Sequence, residues 1–84
     1  MISTREFNDL VDTLLKIRGR DEMADFLEGI FTPKELIEIP TRLKIVKMIK
    51  KGISHHDIAD KMHVGVATVT RGSRELQKGR FKNV

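Results

Sequence analysis

Five apolar residues, Phe7, Leu10, Val11, Leu14 and Leu15, fall at i, i+3, i+4, i+7 and i+8. Side chains at this spacing share one face of a 3.6-residue helix, so the stretch folds by laying an apolar stripe against something else. Met23, Phe26, Leu27, Ile30 and Phe31 repeat the pattern. An 84-residue chain without cysteine has a small core and no disulfide to reinforce it. Two such stripes exceed what one copy can cover, and the expected cover is a second copy: a homodimer.

Helix punctuation divides the rest. Ser3 and Glu6 form a Ser-x-x-Glu capping box ahead of a helix over about residues 4–18, Gly19 stops it, and Asp21 starts a second. Thr32-Pro33-Lys34-Glu35 combines an N-cap threonine, a first-turn proline and a closing glutamate, and so predicts a short third helix. Pro40 reads as a break, with a fourth helix over about 40–51 carrying Leu43, Val46 and Ile49 and ended by Gly52. Ser54 caps a helix from His55 to about Met62, whose buried side is Ile58, Ala59 and Met62. The β-branched run Val64 to Thr70 reads locally as a strand. A lone strand would leave its backbone groups unpaired, so the wider pattern favours a helix over about 66–77.

The reading is therefore all-α, about six short helices ending in a helix-turn-helix. One domain spans 1–84: a dimerisation core over about 4–51, a helix-turn-helix DNA-binding unit over about 54–77, and a basic tail over 78–84.

The charge is lopsided. Residues 1–38 hold five Lys/Arg and nine Asp/Glu, whereas residues 39–84 hold eleven and three. Such asymmetry fits one half facing a polyanion, and nucleic acid is the leading partner. Near the start of the second helix of the pair, Val66, Ala67, Thr68 and Thr70 are small enough to press against base edges. His55 and His56 open the first helix, where unpaired N–H groups would meet a phosphate, and Arg74, Lys78, Arg80 and Lys82 would position the backbone.

Other chemistry finds little support. No stretch approaches the roughly 18 apolar residues of a membrane span, and the chain reads as a soluble cytoplasmic protein. No phosphate-cradling glycine loop is present, and no nucleophile stands beside a base, so an enzyme is not expected. His63 lies about 10 Å along a helix axis from His56 at roughly 1.5 Å per residue, which argues against a shared metal.

Thr32-Pro33, then Thr41-Arg42-Leu43-Lys44-Ile45-Val46, then Gly65-Val66-Ala67-Thr68-Val69-Thr70-Arg71-Gly72-Ser73, resemble the tryptophan repressor family in order and spacing, over roughly residues 5–78. The resemblance implies an intertwined all-helical homodimer that represses transcription by binding operator DNA when L-tryptophan, the corepressor, lies between helix-turn-helix and core. It also implies that Arg42 and Arg71 sandwich the indole, with Arg71 reaching the carboxylate. Thr32 would stand near that carboxylate, Gly72 would leave room beside the ring, and Thr68 would be shared with the DNA face. The carbonyls of Gly29 and Phe31 would accept from the ammonium. The DNA side would comprise His55, His56, Ala59, Val66, Ala67, Thr68 and Thr70.

Three features depart from the family. Glu75 stands where the family has a small hydroxyl residue near the ammonium, so it either pairs with the ligand or folds onto Arg71. His56 and Ala59 replace a guanine-reading arginine and a DNA-contacting lysine. The sequence also reaches Val84 before the family's last helix. Without the motif, Arg42 and Arg71 would read as surface partners of Glu35, Glu38 or Glu75. Two other readings remain: a related helix-turn-helix regulator needing no amino acid, and a helical interaction or dimerisation module with an incidental basic tail.

Overall fold

The computed structural model describes residues 3–84. Five helices follow one another: α1 (Thr4–Lys16), α2 (Arg20–Ile30), α3 (Pro33–Lys50), α4 (His55–Met62) and α5 (Val66–Gln77). No strand occurs among the described residues. The chain forms two compact units that divide after Leu36.

In the first unit, α1 begins where Ser3 Oγ accepts the Glu6 N–H at 3.4 Å. It ends at Lys16, short of the expected Arg18. Gly19 is left-handed at φ +89° and caps the start of α2, which therefore begins at Arg20 rather than Asp21. Neither helix has a buried side chain, and Phe7 and Leu15 are 50% and 77% exposed. The stripes exist as helical faces, and a single chain leaves them open. The capping box before α3 closes in both directions: Thr32 Oγ1 accepts the Glu35 N–H at 3.1 Å, and Glu35 Oε1 accepts the Thr32 N–H at 2.9 Å.

The expected break at Pro40 does not occur. α3 runs through that residue, so the described residues hold five helices rather than about six. An interior proline removes the hydrogen bond to the carbonyl four residues earlier. The neighbouring ladder position is reinforced, because the Thr41 hydroxyl donates to the Ile37 carbonyl at 2.8 Å. The same helix is anchored by buried Ile45, Val46 and Met48, and that packing outweighs one lost bond.

The second unit holds the core: Ile45 and Met48 from α3, Ile58 and Ala59 from α4, and Val69 from α5, with Ile49, Ile53, Met62 and Val64 packed around them. Gly52 at φ +84° ends the α3 segment, and Ser54 Oγ accepts the Asp57 N–H at 3.2 Å to start α4. His63 closes α4 in the left-handed conformation and donates its N–H to the Ala59 carbonyl. Val64 and Gly65 complete a short turn into α5, giving the helix-turn-helix. The β-branched run is helical because Val69 has no solvent exposure, while the Thr70 hydroxyl donates to the Val66 carbonyl at 3.0 Å.

Ile58 is fully buried where the α3, α4 and α5 core residues meet. Ile58→Ala is expected to lower unfolding stability by about 2–5 kcal/mol, through lost burial and an incompletely filled cavity. Chemical denaturation checks it; a change under about 0.5 kcal/mol would show that this site is not the centre of the core.

Candidate functional site

α3 and α5 flank a half-open cavity of about 330 Å³. Its α3 residues are Arg42, Ile45 and Val46, at i, i+3 and i+4; its α5 residues include Thr68, Arg71, Gly72 and Glu75, at i, i+3, i+4 and i+7. Each set is one helical face, so regular backbone alone aligns these side chains. Ala67 and Phe81 complete the lining. Ile45, Val46 and Phe81 supply apolar surface, while Arg42, Thr68, Arg71 and Glu75 supply charge and a hydroxyl. The combination suits a ligand that is apolar in body and charged at one end.

At Gly72, α5 faces α3 with room for a methyl group. A Cβ there would meet Ile49 Cδ1 at 3.4 Å and Ile45 Cγ2 at 3.7 Å, which is ordinary contact. Arg42 Nη2 stands 3.4 Å from Glu38 Oε2, with half of its side chain exposed, and surface pairs of this kind contribute little. Glu75 is more firmly held: Arg80 Nε lies 2.9 Å from Oε2 and Lys78 Nζ 3.5 Å from Oε1. Partial burial pushes the Glu75 carboxyl up, but the Arg80 hydrogen bond and the two positive charges outweigh it and hold the group below its ordinary range. Glu75 thus turns to Lys78 and Arg80, and not to Arg71 as one sequence alternative had it.

Of the expected ligand residues, Arg42, Thr68, Arg71, Gly72 and Glu75 are gathered around this one cavity. Gly29, Phe31 and Thr32 belong to the first unit, where Thr32 serves the capping box. Ile45, Val46 and Phe81 were not among the expected site residues. The first two were legible as the i+3 and i+4 neighbours of Arg42; Phe81 had no periodic signal, being a lone aromatic in a stretch read as a basic tail.

On the proposed DNA side, His56, Val66, Ala67, Thr68, Arg74 and Lys78 are exposed, while His55 and Thr70 are half-buried. Ala59 is a correction. It is 7% exposed and part of the core cluster, on the buried side of α4 where the apolar pattern put it and not on the DNA side that the resemblance implies. Among the described residues no group of three or more His, Cys, Asp or Glu could hold a metal ion, and no helix is long and apolar enough to cross a membrane.

Residues 5–83 match the Trp repressor protein family. The chain belongs to that family. Its relatives include a Trp operon repressor homolog from Vibrio vulnificus (strain YJ016), 36% identical over 73 residues that cover 86% of this chain and 72% of that protein. A second, from Xylella fastidiosa (strain M23), is 29% identical over 84 residues, covering 99% and 91%. The Bacillus subtilis (strain 168) protein named Uncharacterized protein YerC is 25% identical over 75 residues, covering 89% and 72%. No solved structure gives a significant match. Trp repressor proteins form a family of DNA-binding transcription regulators, not of enzymes.

Two measurements probe the site in this Trp repressor family member. Because the folded Glu75 is more acidic than the unfolded one, its contribution to stability is present above the ordinary glutamate range and is lost as pH falls through the depressed value. Glu75→Gln is expected to be less stable than wild type at neutral pH and equal to it in strong acid; a gap that persists in acid would contradict the assignment. Gly72→Ala is expected to raise stability by about 0.5–1 kcal/mol, since alanine orders a helix interior more readily and its Cβ has room. A fall in thermal midpoint would show that α3 and α5 pack more tightly than these distances indicate.

Proposed function

We propose that this protein is a homodimeric, L-tryptophan-activated repressor that binds operator DNA through α4 and α5. The observation that carries the reading is the gathering of Arg42, Thr68, Arg71 and Gly72 around a single apolar-floored cavity, with Thr68 also exposed on α5. An indole fits between two planar guanidinium groups, and Arg71 can pair with the carboxylate. The family resemblance supplies the remaining roles: Thr32 beside the carboxylate, and the Gly29 and Phe31 carbonyls, contributed by a second subunit, for the ammonium.

The division of labour follows the chain. Residues 4–51 form the dimerisation core, whose open stripe of Phe7, Leu10, Val11 and Leu15 supports a second copy as its cover. Residues 54–77 read DNA in the cytoplasm, with Val66, Ala67, Thr68 and Thr70 toward base edges, and His55, His56, Arg74 and Lys78 toward phosphates. Residues 78–84 add basic charge. In a two-fold dimer the recognition helices meet successive major grooves about 34–36 Å apart, so the operator is a palindrome.

The deciding measurement is operator affinity with and without L-tryptophan, for wild type and Arg71→Ala. Wild type is expected to bind about 5- to 150-fold more tightly with the ligand, the usual range of allosteric coupling, and Arg71→Ala to lose that gain. Equal operator affinity with and without L-tryptophan would favour the regulator that needs no amino acid. Absence of salt-dependent duplex binding would favour the interaction module. Lys78→Ala is expected to weaken cognate and random DNA alike and to flatten the salt slope by about one unit or less.

A further inference from the structure

Beyond α5 the chain folds back and is tied down at several points. Lys50 Nζ, at the end of α3, donates to the Phe81 carbonyl at 2.8 Å and to the Val84 main-chain oxygen at 2.6 Å. Arg80 Nε donates to Glu75 Oε2 at 2.9 Å, and the Arg80 N–H donates to the Glu75 carbonyl at 3.2 Å. Gly79 and Phe81 are both left-handed, at φ +92° and +64°. That conformation is easy for glycine but an outlier for phenylalanine, one that surrounding contacts must hold in place. The result is a half-buried Phe81 in the wall of the cavity.

We propose that residues 79–84 are a strap that competes with the ligand for the cavity. Arg80 and Phe81 offer a cation and an aromatic ring on adjacent residues, the two groups that an aromatic amino acid brings as ammonium and side chain. The proposal rests on the corepressor reading above and adds its regulation. Glu75 is the one carboxylate among the lining residues, and both of its oxygens are engaged, Oε2 by Arg80 and Oε1 by Lys78. An arriving ammonium meets a carboxylate already neutralised, and an arriving ring meets Phe81 at the apolar wall. Because the two obstacles sit on one turn, a ligand that displaces either weakens the hold of the other. Its apparent affinity is reduced by the fraction of molecules whose strap is open, so weakening the strap tightens ligand binding.

Lys50 gives the cleanest test, because it holds the strap without lining the cavity. By calorimetry, Lys50→Met and Phe81→Ala are each expected to bind L-tryptophan at least about 5-fold more tightly than wild type. Unchanged affinity in Lys50→Met, or weaker affinity in Phe81→Ala, would overturn the proposal and make Phe81 part of the ligand's own seat. A second readout needs no ligand. The chain has no tryptophan or tyrosine, so Phe81→Trp is a single reporter. Its emission is expected to lie to the blue of the unfolded chain and to move red when Lys50→Met is added. If neither wild type nor the variants bind L-tryptophan, the corepressor reading fails while the strap is judged by this emission: a blue emission that Lys50→Met releases supports it, and a solvent-like emission indifferent to Lys50 overturns it.

Discussion

Ile45, Ile58 and Val69, one from each of α3, α4 and α5, are together buried to 1% exposure or less. Apolar burial of this completeness fixes which face each helix turns inward. With Val69 directed into the core, Thr68, Arg71, Gly72 and Glu75 run along the adjoining face of α5. With Ile45 in the core, Arg42 and Val46 flank it on α3. The helical part of the cavity is therefore a by-product of how these helices pack, and only Phe81 reaches it from irregular backbone. It also follows that helix-turn-helix and cavity share α5: the helix that carries Val66 and Ala67 on its exposed first turn carries Arg71 and Glu75 one turn or two further on. A ligand against α5 touches the same helix that would meet DNA, and it couples the two sites to the extent that it binds one arrangement of that helix more tightly than another.

Electrostatics refine this frame. Residues 39–84 concentrate positive charge with only three acidic side chains, and one of these, Glu75, lies at the cavity. Its engagement by Arg80 and Lys78 keeps an uncompensated carboxylate away from a surface otherwise suited to phosphates. The same pairing gives the turn after α5 a charged attachment, to which Lys50 adds bonds to main-chain oxygens. Exposed pairs of this kind are individually weak and sensitive to salt. An attachment built from them is easily released, unlike the core.

Local signals in the sequence determined the helix starts. Ser3, Thr32 and Ser54 cap helices at the expected places, and the spans His55–Met62 and Val66–Gln77 agree with their expected bounds. The Arg42, Thr68, Arg71 and Gly72 set was marked by the resemblance to the Trp repressor family; without it the two arginines read as surface partners of nearby glutamates. The helix starts depend on spacing and capping within a few residues, which the chain carries with it into any setting. What only the tertiary structure decided lies where a local preference met a packing demand. Pro40 stays inside α3 because buried Ile45, Val46 and Met48 hold the helix through it. Phe81 joins the cavity through a hydrogen bond from Lys50, thirty-one positions away. Non-local contacts of this kind leave no periodic trace in the sequence, since their partners become neighbours only when the helices have packed.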